Sequence, residues 1–139
     1  MKKSMLIAGL FQVVVALVLA APAVAQQSTY TLHIPFSFHV NAREMPAGEY
    51  RVSIAAPGTV QVRGIDNTVN ATFIVPQVNR SSRGSENSEL VFHRYGRQYF
   101  LSQVWFANAG VGYGLQISNT EREAAQRTPS TETVLWAAR

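Results

Sequence analysis

The sequence contains no cysteine, and its only two lysines stand at positions 2 and 3. The first absence excludes disulfides, thiolate zinc sites, thiol catalysis and lipid attachment through an N-terminal cysteine. The second excludes Schiff-base and lysine-nucleophile chemistry from the rest of the chain. Aspartate is nearly missing too: Asp66 is the only one, and it belongs to a turn-forming Asp-Asn pair. No G-x-S-x-G elbow is present, so a nucleophilic serine would lack that strand–turn–helix frame.

Long apolar runs are confined to the start. Lys2 and Lys3 precede an almost wholly apolar stretch from Met5 to Ala21, and Ala23-Val24-Ala25 supplies small residues before Gln26. This pattern predicts a secretory signal peptide over residues 1–25, cleaved after Ala25. The run is short for a retained anchor and abuts the cleavage pattern, which favours a periplasmic or extracellular mature chain without a membrane anchor. Removing 25 of the 139 residues leaves 114, enough for a single β-domain, 26–139, with a real core. Both lysines leave with the leader, so ten arginines face eight acidic residues and the net charge is about +2. Such a balance gives no reason to expect a nucleic-acid partner.

What remains is patterned as strands. Thr31 to Val40 alternates without a fault, with Leu32, Ile34, Phe36, Phe38 and Val40 on one face. Pro35 cannot donate to a ladder, so this strand is expected at an edge or with a bulge. After a connection from Asn41 to Gly48, Tyr50, Val52 and Ile54 mark a second strand, and Val60 and Val62 a third. Ala71 to Val78 reads as a fourth, ending near Pro76, and the wholly polar Asn79–Ser88 as a loop.

Leu90–Tyr95 and Tyr99–Phe106 meet at Gly96 and read as a hairpin. A three-residue loop would shift the register and swap the faces, whereas a two-residue loop, or a four-residue one, would set Arg94 opposite Tyr99, Phe92 opposite Leu101 and Leu90 opposite Gln103. Val91, His93 and Tyr95 would then share the other face with Phe100, Val104 and Phe106. Large apolar groups on both faces predict that the hairpin is covered on each side. A seventh strand is expected over Tyr113–Ser118 and a last one over Thr133–Ala137. Between them, Ser118 and Thr120 each precede a glutamate by three residues, and Pro129 ends the run, so a helix is expected over Thr120–Arg127.

The expected fold is therefore all-β: an antiparallel β-barrel or β-sandwich of about 7–8 strands with one short helix near the C-terminus. Short connections favour a meander-like barrel whose last strand covers the edge left by the first. The expected core comprises Leu32, Ile34, Phe36, Phe38, Tyr50, Val52, Ile54, Val60, Val62, Phe73, Phe92, Leu101 and Val104. A transmembrane barrel is disfavoured, because several strands are shorter than the ~9–11 residues that span a bilayer.

Chemistry-bearing groups are sparse. His33 and His39, at opposite ends of one strand, would lie about 20 Å apart, too far to share a metal ion, and no metal or other cofactor is expected. His93 sits in the hairpin opposite Phe100, with Ser102 diagonally across. The glutamates, Glu44, Glu49, Glu86, Glu89, Glu121, Glu123 and Glu132, fall on expected outward faces or loops. Gly110-Val-Gly-Tyr-Gly114 lacks the glycine spacing and following helix of a dinucleotide fingerprint, and a glycine-rich turn accounts for it.

One cluster suits recognition: Arg94, Tyr95, Arg97, Tyr99 and Trp105, with His93 beside them. Flat aromatic faces next to guanidinium groups suit a small molecule, a glycan or an envelope protein.

Four blocks of the chain, Ile34-Pro-Phe-Ser-Phe38, Met45-Pro-Ala-Gly-Glu-Tyr50, Leu90-Val-Phe-His-Arg-Tyr-Gly96 with Tyr99-Phe-Leu-Ser-Gln-Val-Trp105, and Glu121-Arg-Glu-Ala124, carry a resemblance. The chain resembles a group of small exported β-rich proteins from Gram-negative soil bacteria. That resemblance implies a compact exported domain and supplies no catalytic residue. The reading is an exported, non-catalytic β-domain that binds a ligand or partner or has a structural role in the envelope. The alternative is a small periplasmic hydrolase using His93 with Ser102.

Overall fold

The computed structural model describes residues 28–75, 77–79, 87–107 and 111–137. The expected signal peptide, Pro76, the central part of the Asn79–Ser88 loop and the start of the glycine-rich turn lie outside the described residues. Among the described residues, eleven strands and one helix follow in order: β1 (Thr29–Ile34), β2 (Phe38–Val40), β3 (Arg43–Met45), β4 (Gly48–Ala56), β5 (Thr59–Gly64), β6 (Asn70–Ile74), β7 (Gln77–Asn79), β8 (Glu89–Tyr95), β9 (Gln98–Trp105), β10 (Val111–Gly114), α1 (Asn119–Arg127) and β11 (Ser130–Trp136).

They form two sheets packed as a sandwich, not a closed barrel. The first has the order β1-β4-β5-β6; the second runs β11-β8-β9-β10-β7, with β2 joined to β3 and, in parallel, to β9. The last strand pairs with β8 and leaves the edge at β1 alone, contrary to the meander expectation.

Proline explains part of the difference. The ten-residue alternation from Thr31 divides at Pro35: β1 pairs with β4 in one sheet, whereas β2 crosses to the other. A residue that cannot extend a ladder marks the corner where the chain changes layers. The expected fourth strand divides likewise into β6 and β7, each in a different sheet. A short β3 within the expected Asn41–Gly48 connection completes the increase from eight strands to eleven. The seventh expected strand begins earlier, at Val111, because β10 pairs with β9 through Gly112 and Tyr113.

Between the sheets lies one apolar core. Leu32, Ile34, Tyr50, Val52, Val60, Val62 and Phe73 come from the first sheet, and Phe38, Leu90, Phe92, Leu101 and Val104 from the second. Of the expected core, Phe36 and Ile54 are only partly buried. Aromatic edges hold the centre: Phe38 meets Tyr50 and Phe92 edge-on at 5.2 and 5.5 Å.

The central hairpin turns through a two-residue loop, with Tyr95 opposite Gln98 and Gly96 at φ 62°. Arg94 faces Tyr99 and Phe92 faces Leu101 as expected. Beyond them a β-bulge intervenes: Val91 pairs with Gln103, so Ser102 is the extra residue, and Leu90 faces Val104 instead of Gln103. The slip puts Val104 on the inward face, in the core as expected, and corrects only the hairpin register that set it beside Val91, His93 and Tyr95.

The outer face of the hairpin is covered too. Tyr95 and Phe100 pack with Ala124 of the helix in a second small apolar cluster. Ser118 caps α1, its Oγ accepting from the Glu121 N–H at 3.2 Å; of the two possible caps it is the one used. The helix ends where Thr128 N–H donates to the Ala124 carbonyl, one residue before Pro129.

Candidate functional site

A chain of hydrogen bonds runs across the outer hairpin face, beside α1. Ser102 Oγ lies 3.1 Å from His93 Nε2, and His93 Nδ1 lies 2.7 Å from Glu121 Oε1. Tyr95 donates its hydroxyl to the same Oε1 at 3.1 Å. Three elements contribute: β8 supplies His93 and Tyr95, two apart on one face of the strand; β9 supplies Ser102 from its bulge; α1 supplies Glu121 from its first turn.

The bulge is what aims the serine. An extra residue in one strand bends the chain and redirects side chains that a regular ladder would fix. Ser102 keeps its own main chain anchored, since its carbonyl accepts from Leu115 N–H at 2.8 Å. Glu121 is placed by helical spacing, three residues before Ala124, so both lie on the stripe that meets the sheet.

The electrostatics assign the protons. Burial pushes the Tyr95 phenol above its ordinary value, helped by the Glu121 charge and their shared hydrogen bond, so Tyr95 remains a donor. An ionised Glu121 can only accept, so Nδ1 of His93 carries the proton directed at Oε1. In that tautomer of the imidazole the lone pair is on Nε2, where Ser102 Oγ is placed to donate. The carboxylate is buried, with Glu121 4% exposed, and Ser102 is 8% exposed, whereas the His93 side chain is 31% exposed.

Glu121 and Glu89 are both buried, which corrects the expectation that every glutamate is surface charge. Glu89 Oε2 accepts from Trp136 Nε1 at 2.9 Å. The one sequence signal for Glu121 is its i, i+3 relation to Ala124, which the capping-box pattern at the same position overrides.

The expected recognition cluster is distributed over several environments. Tyr95 and Trp105 are buried, and Tyr95 belongs to the hydrogen-bonded chain. Tyr99 has Phe36 stacked on its ring at 3.7 Å and the Arg94 guanidinium 5.4 Å from the ring centre. Arg94 also donates to the Gly96 carbonyl, and Arg97 is exposed at the turn. Trp105 lies against Gly112, its cross-strand partner, and donates from Nε1 to Gln103. His39 stacks on Phe100 at 4.7 Å, while His33 is in the other sheet. Among the described residues no three potential ligands gather around a metal position.

Two cavities bear on recognition. A groove of about 420 Å³ is lined by Asn41, Ala42, Ile74, Val75 and the segment Gln116–Asn119. This segment is tied at both ends to the polar chain, through Leu115 to Ser102 and through Glu121 to His93. A second cavity of about 280 Å³ lies between the turns at Pro46–Tyr50 and Gly64–Val69, with Glu49 and Asp66 on its wall.

Comparison with family models, with curated proteins and with solved structures gives no match to this chain.

Proposed function

We propose that the chain is an exported β-sandwich that recognises a small, neutral, partly apolar molecule in the groove beside the start of α1. One observation carries this reading: Ile74 and Ile117, 86% and 51% exposed, line a groove of about 420 Å³ with no charged side chain on its wall among the described residues. Exposed isoleucines each forgo ~1.5–3 kcal/mol of burial, which a ligand's apolar body would recover. Asn41, Gln116, Ser118 and Asn119 supply polar groups around them, the mixture typical of small-molecule sites. A glycan fits less well, because among the described residues no aromatic ring and no basic side chain lines the groove, and the same lack disfavours a nucleic acid.

The apolar leader and the small-residue cleavage pattern before Gln26 support export. The likeness to small exported β-rich proteins of Gram-negative soil bacteria agrees with that address.

Binding of a neutral apolar fluorophore such as N-phenyl-1-naphthylamine, with neutral long-chain alcohols, glycans and peptides as competitors, tests the reading. Saturable uptake, displaced by the alcohols and weakened at least tenfold by Ile117→Ser, is expected. No uptake, uptake unaffected by Ile117→Ser, or displacement only by glycans or peptides would overturn it.

A further inference from the structure

We propose that Ser102, His93 and Glu121 form an acyl-transfer site that hydrolyses carboxylic esters of small acyl groups, with Ser102 as nucleophile. None of the three residues lines the groove, and the site adds a chemical step to a domain whose composition argues only for recognition.

Three features of the array go beyond a hydrogen-bonded core. The nitrogens are used in the order that the chemistry requires: Nδ1 faces the carboxylate at 2.7 Å and Nε2 faces the hydroxyl at 3.1 Å. The reverse order would point the base away from the nucleophile. Next, the carboxylate is buried and held by a second donor, the Tyr95 hydroxyl, so the imidazole is fixed in tautomer and orientation. Burial and the neighbouring carboxylate both keep that phenol protonated. Lastly, Ser102 occupies a bulge, which redirects its side chain from the position a regular ladder would give it.

The reaction balances with water as the only co-reactant. Ser102 Oγ attacks the ester carbonyl carbon and its proton passes to His93 Nε2. The tetrahedral intermediate collapses, the bond from carbon to the alkoxy oxygen breaks, and the alkoxide takes the proton from Nε2 and leaves as an alcohol. Water then adds to the acyl-serine, giving a proton to Nε2; the carbon–Oγ bond breaks and Oγ takes that proton back. The products are a carboxylic acid and the free serine. Glu121 and Tyr95 touch no reacting atom and act as positioning residues. Ser102 is 8% exposed, which restricts the site to small acyl groups, and the His93 side chain beside it is 31% exposed.

The test is covalent labelling of the mature protein with a small alkyl fluorophosphonate, read by intact mass and peptide mapping, beside p-nitrophenyl acetate hydrolysis. One adduct on Ser102 is expected, absent from Ser102→Ala and formed ~100-fold or more slowly in His93→Gln. Glu121→Gln should slow labelling as well, and Glu121→Asp should restore part of the rate, which a purely structural role would not produce. Labelling is read on Ser102 and fluorophore uptake in the groove, so failure of the groove reading and failure of this one are separable. A folded wild-type protein that takes up no adduct on Ser102, or a His93→Gln protein labelled at the wild-type rate, overturns the proposal.

Discussion

His93 and Glu121 stand 28 residues apart and are joined, Nδ1 to Oε1, at 2.7 Å. The contact fastens a helix too short to persist alone to the outer face of the central hairpin. Glu121→Ala leaves the imidazole N–H and the Tyr95 hydroxyl without their acceptor. A loss of ~2–4 kcal/mol in denaturant unfolding is expected, as for two donors left without an acceptor. Tyr95→Phe removes only one donor and should cost ~1–2 kcal/mol. Equal losses for the two variants would mean that the tyrosine, not the histidine, anchors the helix.

Gly112 and Gly96 should respond differently to alanine. A Cβ on Gly112 would lie 2.5 Å from Cδ2 of the Trp105 indole, so Gly112→Ala must push the ring aside. The expected cost is ~1–3 kcal/mol, with a shift in tryptophan emission. A Cβ on Gly96 would meet nothing within 4 Å, but the residue adopts φ +62°, so Gly96→Ala should cost only ~1 kcal/mol and leave emission unchanged.

Phe36 and Phe38 separate a rim aromatic from a core one. Phe38 is fully buried, and Phe38→Ala should cost ~3–5 kcal/mol. Phe36 is half-buried, stacked on Tyr99 at 3.7 Å and edge-on to Phe92 at 5.2 Å. Phe36→Ala should therefore cost less, ~1–3 kcal/mol. A larger loss at Phe36 than at Phe38 in paired urea titrations would contradict the assigned corner at Pro35.

Stability should fall in alkali. Tyr30, Tyr50 and Tyr95 are all raised above the ordinary phenol value of 10.0, chiefly by burial and further by Glu89, Asp66 and Glu121 respectively. An unfolded chain releases these protons near 10.0 while the folded protein retains them. The folded state thus binds more protons, and the stabilisation present below that pH is lost as pH rises towards the folded values. Urea midpoints measured at about pH 9 and about pH 11 should show the decline. Full tyrosinate absorbance near the ordinary value, with the fold intact, would refute the burial of these hydroxyls.

The strand alternation made most of the core legible, because Leu32, Ile34, Tyr50, Val52, Val60 and Val62 repeat at period two and all face inward. Layer assignment was not legible, since period two says which face is apolar and not which sheet a strand joins. Pro35 signalled an interruption, but only tertiary pairing shows that the chain changes sheets there. Ser102 and His93 were legible as a diagonal pair on the hairpin. The carboxylate was not, because Glu121 also satisfies a helix N-terminal pattern and reads there as surface charge. The bulge escaped for a related reason: nothing in Leu101-Ser-Gln-Val104 distinguishes an extra residue from a regular strand step, and only the need to return Val104 to the core decides it.

Nitrogen-15 and proton NMR of His93 tests the Ser102–His93–Glu121 assignment most directly, because that assignment requires the proton on Nδ1 and the lone pair on Nε2. A neutral-pH spectrum should show Nδ1–H as a slowly exchanging, downfield resonance that disappears in Glu121→Gln, with Nε2 in the unprotonated chemical-shift range. A neutral imidazole protonated at Nε2, or an Nδ1 resonance indifferent to Glu121, would contradict it.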